Sequence, residues 1–228
     1  TIHICLTPDS IRREVELSLK RLQTDYIDLY QPHWQESTTP IAETMGCLQE
    51  LKQEGKIRAV GVCNATPDQM AEYAQAGPLD TDQELYSMLD RQIETEQLAY
   101  CREHNVAMLG YSPLARGLLT GKIGPDREFA EGDQRRTTIR FSPRFRKKSD
   151  ALLEKLRPIA QRRKLTLAQL VIAWTVHQPG LTHALCGARN PQQAEENAAA
   201  GDVELTAEEL QSIDAALQEY AGPKKKGS

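Results

Sequence analysis

The chain has 228 residues, 39% hydrophobic and 26% charged, enough for one sizeable core. Its 28 basic residues against 32 acidic ones leave a net charge of −4, which gives no general attraction for nucleic acid or an anionic membrane. No stretch approaches the roughly 18 apolar residues of a membrane span, and the first residues lack the basic region and apolar core of a secretory signal. The five cysteines, at 5, 47, 63, 101 and 186, are odd in number and without C-x-x-C spacing. They read as free thiols in a reducing cytoplasm rather than as disulfides or a zinc site.

Residues 7–22 read as a helix. Thr7 or Asp9 can cap it, Pro8 suits its first turn, and Ile11, Val15, Leu19 and Leu22 recur at helical spacing. A strand follows around Ile27, Leu29 and Tyr30, and Pro32, which cannot donate to a central ladder, marks its end. A second helix runs from Thr39 or Pro40 to Gly55, a natural C-cap. The near-continuous apolar run 57–62 reads as a strand buried on both faces. A helix is predicted over 68–75, a short strand over 83–86, a helix over 93–104 and a strand over 106–109. Residues 123–148 show no periodicity and are rich in Gly, Pro and Arg, as expected of a functional or disordered loop. Helices are predicted over 150–164, with Pro158 as a kink, and over 167–178 behind a Thr166 cap. A strand at 181–187 precedes a helix capped by Asn190, and Thr206 caps the last one. The tail 221–228 reads as flexible. Strand and helix alternate throughout, which argues for a parallel α/β architecture, either an open doubly wound sheet or a (β/α) barrel.

In such folds ligand groups gather at the C-terminal ends of the strands. Polar or aromatic residues stand at all five predicted ends. They are His33, Asn64, Gln83, then Tyr111 with Ser112, then Gly187, Ala188 and Arg189. Segment 110–122, GYSPLARGLLTGK, opens from an apolar strand into a loop rich in Gly and cations, the setting in which α/β proteins hold phosphate. His33 can polarise a carbonyl or simply pack beside Trp34. Asn64 offers a donor and an acceptor for an amide, or a helix cap. Tyr111 offers a face for a flat ring, or ordinary core packing. Arg189 precedes a helix N-terminus, and the two together favour an anion. Neither G-x-G-x-x-G nor G-x-x-x-x-G-K-[ST] occurs. The other histidines lack metal-ligand spacing, and His183, inside a strand, reads as structural.

Four segments, SIRREVELSLKRLQTDYIDLYQPHW, TPIAETMGCLQELKQEGKIRAVGVCN, YSPLARGLLTGK and GARNPQQAEEN, resemble the aldo-keto reductases in that order, over about residues 10–220. The resemblance implies an α/β (β/α)8 TIM-type barrel, here about five of eight βα units in a single partial domain over 1–220. It implies NADP(H) as cofactor, a small carbonyl or alcohol as substrate, and reversible hydride transfer between them. By the resemblance His33 helps orient and polarise the substrate carbonyl. Asn64, after Cys63 where Ser is usual, contacts the carboxamide together with Gln83, and Tyr111 stacks on the nicotinamide. Ser112, Leu114, Arg116, Gly117 and Lys122 wrap the pyrophosphate. Gly187, Arg189, Gln193, Glu196 and Asn197 form the adenosine and 2′-phosphate site, and Arg135 faces the phosphate. The family's proton-donating Tyr, with its supporting Asp and Lys, belongs to the first three βα units, which precede the part matched here. None of the chain's seven tyrosines matches the donor position. Ala65 replaces a usual Phe, and Pro32 a usual aliphatic residue. An incomplete barrel leaves a strand edge unpaired. The expectation is therefore a less stable chain that oligomerises or needs a complementing N-terminal segment. The alternative to a reductase is a non-catalytic NADP(H)-binding or scaffolding module.

Overall fold

A computed structural model describes residues 4–222. The elements run in the order α1 (Pro8–Leu22), β1 (Ile27–Tyr30), α2 (Ile41–Gln53), β2 (Ile57–Cys63), α3 (Pro67–Ala76), β3 (Thr81–Leu85), α4 (Gln97–His104), β4 (Ala107–Tyr111), α5 (Pro143–Arg162), α6 (Leu167–Val176), β5 (Leu181–Leu185), α7 (Pro191–Ala199) and α8 (Ala207–Ala221). The strands form one sheet in sequence order, with β1 and β5 at its edges. β1 pairs with β2, and β2 with β3, in parallel. Parallel neighbours in chain order, each pair joined through a helix, are five units of the (β/α)8-barrel type, fewer than the eight strands that close one. Of the flexible tail expected over 221–228, Ala221 ends α8 and Gly222 caps it, and residues 223–228 lie outside the described residues.

Two compact units emerge. One is built from residues up to Leu85 together with Gln92–Gly110 and Pro179–His183. The other takes Tyr86–Arg91, Tyr111–Gln178 and the residues from Ala184 on. The first holds most of the sheet. Val60 and Val62 of β2 and Met108 of β4 are buried, as are Met45, Leu48 and Leu51 on α2 and Met70 and Tyr73 on α3. The second is helical. Its core is Trp174 and Val171 of α6, Leu153 and Leu156 of α5, and Ile213 and Leu217 of α8.

The helix starts follow from the caps. Thr66, Thr166 and Thr206 each close a capping box with Gln69, Gln169 and Glu209, satisfying donors that a helix N-terminus leaves free. Asn190 caps α7 by accepting from the Gln193 amide.

Several elements differ from the sequence expectation. α5 begins at Pro143, not at residue 150, and continues through Pro158. Its first turns turn Arg146 and Ser149 inward. Polar side chains at core-facing positions therefore erased the apolar period. The helix predicted over 93–104 is split into a 3₁₀ turn, Gln92–Glu94, and α4, because the backbone at Glu96 (φ −121°, ψ −69°) is not helical. β3 starts at Thr81 and ends at Leu85, so Tyr86 lies just beyond it. The loop 123–148 carries two 3₁₀ turns, Gln134–Arg136 and Ile139–Phe141, ahead of α5. His183, expected to be structural, is exposed on β5.

Candidate functional site

The loop after β4 is built from an unusual backbone. Ser112, Ala115 and Arg116 have φ of 60°, 47° and 57°, and Gly117 has 96°. Left-handed conformations cost non-glycine residues energy, and clusters of them persist where surrounding structure holds them, commonly at ligand sites. Here the holding bonds are local. The Ala115 amide donates to the Ser112 carbonyl (2.8 Å), the Gly117 amide to the Leu114 carbonyl (2.9 Å), and Thr120 Oγ1 to the Gly117 carbonyl (2.8 Å). Ala115, Leu118 and Leu119 are buried beneath. Arg116 and Lys122 are exposed.

This turn forms one wall of a groove of about 930 Å³ lined entirely by the second unit. Ser112, Leu114, Arg116, Gly117 and Lys122 line it from one side, Gly187, Arg189, Gln193, Glu196 and Asn197 from another, and Arg135 from the long loop. The structure thus brings together eleven of the residues picked from sequence. Five cations, Arg116, Lys122, Arg127, Arg135 and Arg189, face it against two carboxylates, Asp133 and Glu196. Such an excess favours a polyanionic ligand.

Around the start of α7, side chains brace backbone. The Arg189 amide donates to Gln193 Oε1 (2.9 Å), and Asn197 Nδ2 donates to the Gly187 carbonyl (3.3 Å). Glu196 accepts from Thr166 Oγ1 (2.7 Å). The exposed Arg189 guanidinium has no hydrogen bond or ion pair among the described residues. It stands beside the N-terminal turn of α7, where amides and the helix dipole favour an anion.

The long loop is fixed, although its sequence shows no period. Phe129 and Phe141 meet edge to face (5.7 Å, 89°). Arg135 and Arg146 lie over the Phe129 ring at 5.0 and 5.6 Å, and Arg116 over Phe141 at 5.8 Å. The buried Arg146 also donates through Nη1 to the carbonyls of Gly124 (3.0 Å) and Arg127 (2.6 Å). Arg140 pairs with the buried Asp90. Sequence reasoning missed Arg127, Phe129, Asp133, Gln134 and Cys186 on the groove. The density of Arg and Phe in the loop was the available signal.

The remaining candidates lie in the first unit, apart from Tyr111, which ends β4. Asn64 adopts φ 54°, and its Nδ2 donates to the His33 carbonyl at 3.0 Å. Its amide donates to the Gln83 carbonyl at 3.1 Å. His33, Asn64 and Gln83 are therefore linked across the ends of β1, β2 and β3. The helix cap offered as an alternative for Asn64 is supplied by Thr66 instead. The His33 ring is exposed beside Trp34, with ring centres 5.9 Å apart. On β3, flanking Gln83, Asp82 and Glu84 are buried, and among the described residues both Asp82 oxygens and Glu84 Oε1 have no hydrogen-bond partner. Burial, reinforced by the charge of Glu84, pushes the Asp82 carboxyl up to about 8, and burial raises Glu84 to about 7. Among the described residues no group of three His, Cys, Asp or Glu side chains is placed to hold a metal, and no helix is long and apolar enough to cross a membrane.

Comparison with known proteins gives a consistent picture. The model of the aldo/keto reductase family matches residues 1–218. The NADH-specific methylglyoxal reductase of Escherichia coli (strain K12) is 44% identical over 204 residues, 88% of this chain and 62% of that protein. Aldo-keto reductase YhdN of Bacillus subtilis (strain 168) is 39% identical over 209 residues, 91% of this chain and 63% of that one. The solved glycerol dehydrogenase AKR11B4 from Gluconobacter oxydans superposes with a TM-score of 0.91 at 36% identity, covering 98% of this chain and 68% of that one. The chain spans about three-fifths of the length of these two curated relatives.

Proposed function

The chain belongs to the aldo/keto reductase family, and from that premise we propose that it forms the NADP(H)-holding part of an oxidoreductase acting on a small aldehyde or ketone. The observation that carries the cofactor reading is the groove of the second unit, where five cations and a left-handed turn converge. Its residues fit an extended dinucleotide. The Ser112–Gly117 turn with Arg116 and Lys122 suits a pyrophosphate. Arg189, its guanidinium unpaired beside the start of α7, suits the additional 2′-phosphate of NADP(H). The E. coli relative is named for NADH, so the phosphate preference rests on Arg189 in this chain.

When bound, the nicotinamide supplies or accepts the hydride. The chain's own residues position the partners. Asn64 and Gln83, held side by side through the Asn64 amide, offer donors and acceptors to a carboxamide. Tyr111 offers a ring face. His33, whose backbone is tied to Asn64, presents an exposed imidazole to orient and polarise a carbonyl oxygen. Reduction also needs a proton, and general acid catalysis is worth ~10² to 10⁴ in rate. No tyrosine of this chain matches a donor position, so turnover is proposed for the whole protein and cofactor binding for this chain.

Titration of the purified chain with NADPH and with NADH, followed by the shift and quenching of reduced-nicotinamide fluorescence, tests the reading. The expected result is saturable binding of both, tighter for NADPH. Binding of NADH alone rejects the 2′-phosphate assignment. Binding of neither rejects the cofactor groove.

A further inference from the structure

Asp133 is one of only two carboxylates on the five-cation groove. The other, Glu196, is engaged by Thr166. Asp133 instead turns both oxygens onto a groove cation. Arg135 Nε donates to Oδ1 at 3.0 Å and to Oδ2 at 3.1 Å, and Arg135 Nη2 donates to Oδ2 at 2.5 Å. This is the side-on fork with which a guanidinium takes a carboxylate or a phosphate. The occupied fork lies against the phosphate-wrapping turn, since a Cβ added at Gly117 would stand 3.9 Å from Arg135 Nη1. Asp133 also caps the 3₁₀ turn Gln134–Arg136 by accepting from the Arg135 amide at 2.9 Å. A cap needs one acceptor oxygen and no charge. The second oxygen and the charge go to the guanidinium.

We propose that Asp133 is a built-in counter-anion of the groove, which occupies the Arg135 fork and competes with the phosphates of an incoming ligand, so that it limits how tightly an anionic ligand is held. The proposal rests on the reading that the groove takes a dinucleotide phosphate. On binding, phosphate oxygens replace the carboxylate on Arg135 and the carboxylate turns to water. No proton or electron moves. The hydrogen bonds from Arg135, with the Arg116 charge nearby, hold the Asp133 carboxyl down to about 2. The competing charge is thus present throughout the neutral range, and the competition is not relieved by mild acid.

Asp133→Asn tests this, because it keeps the capping oxygen and the size while removing the charge. Two probes are titrated by calorimetry, inorganic pyrophosphate and NADPH. The variant is expected to bind each roughly three- to tenfold more tightly, the scale of no longer having to displace one partly exposed ion pair, with a steeper loss of affinity as salt is raised. Adding Arg135→Gln to Asp133→Asn should abolish the gain. Equal or weaker binding of both probes by a folded Asp133→Asn protein overturns the proposal, and so does a gain that survives loss of Arg135. A gain for pyrophosphate without any NADPH binding supports the counter-anion and rejects the dinucleotide reading. Equal NADPH binding by both proteins, with no gain for pyrophosphate, keeps that reading and rejects the role of Asp133.

Discussion

Arg140 places its guanidinium on the carboxylate of Asp90, fifty residues earlier in the chain, and Ser87 Oγ donates to the same oxygen at 2.9 Å. Asp90 is 2% exposed, so the pair nails the long loop to a fixed point of the second unit's core. The groove-lining Phe129, Asp133 and Arg135 all belong to that loop. Arg140→Ala leaves the buried Asp90 carboxylate without its cationic partner and with the Ser87 hydroxyl still donating to it. The expected cost is about 1–3 kcal/mol, the scale for a buried polar group that loses its charged partner. NADPH affinity should fall with it. Thermal melting and cofactor titration of the variant check both, and an unchanged melt would remove the pair from any anchoring role.

The buried carboxylates of β3 make a second prediction, about pH. The ordinary values are 3.8 for Asp82 and 4.5 for Glu84, and burial raises them to about 8 and about 7 in the folded chain. Between those values the folded state binds more protons than the unfolded one, so stability falls as pH rises. The penalty is absent below the ordinary carboxylate range and complete only above the raised values. The thiols of Cys63 and Cys101 are themselves pushed up to about 12 by burial and by these two acids, so they stay neutral and add no further negative charge. Part of the Asp82 shift is its repulsion with Glu84, and Glu84 is less enclosed than Asp82, so the two shifts do not add and the combined effect is about a few kcal/mol. Urea unfolding of the wild type should show a falling midpoint from pH ~5 to ~9, and Asp82→Asn with Glu84→Gln should flatten it. A wild-type midpoint that rises over that interval would show that the pair ionises at no cost, through a counter-charge or water.

The same strand shows where sequence reading succeeds and fails. Residues 57–62 were legible because the run is mostly apolar and Val60 to Cys63 are all buried, although Arg58 is exposed and the burial on both faces expected of the whole run fails there. β3, TDQEL, defeated the pattern because acids occupy the positions that should be apolar. The glycine in IRAVGV looked like an ordinary strand member. In the fold it is required, since a Cβ at Gly61 would lie 2.0 Å from Thr81 Oγ1 and 2.8 Å from Gln31 Nε2. Helix starts were readable from Thr166, Asn190 and Thr206 because a cap is a local interaction. The start of α5 was not, because Arg146 faces inward to hold carbonyls of a distant loop. The groove was half legible. Gly117 and Arg189 lie in loops that follow recognisable strands, whereas Phe129 and Asp133 reach it from a segment without period, placed by Phe–Phe and Arg–Phe contacts that no spacing rule encodes.

If the groove takes the cofactor as proposed, Arg189 is the residue expected to separate NADPH from NADH. Its backbone amide, not its side chain, braces the loop by donating to Gln193 Oε1. Arg189→Ala therefore leaves that brace and the Asn190 cap of α7 in place, and removes one unpaired cation from the groove. A charge-assisted contact to a phosphate is worth about 1.5–3 kcal/mol, or roughly a 10- to 100-fold change in affinity. NADPH should weaken by that factor while NADH, lacking the 2′-phosphate, changes little. Raising salt should compress the difference, because the lost contact is exposed and screened. Parallel titrations of wild type and variant with both cofactors read this directly. An equal loss for the two would assign Arg189 to the part of the cofactor they share and would leave the preference to the cations of the turn and the long loop.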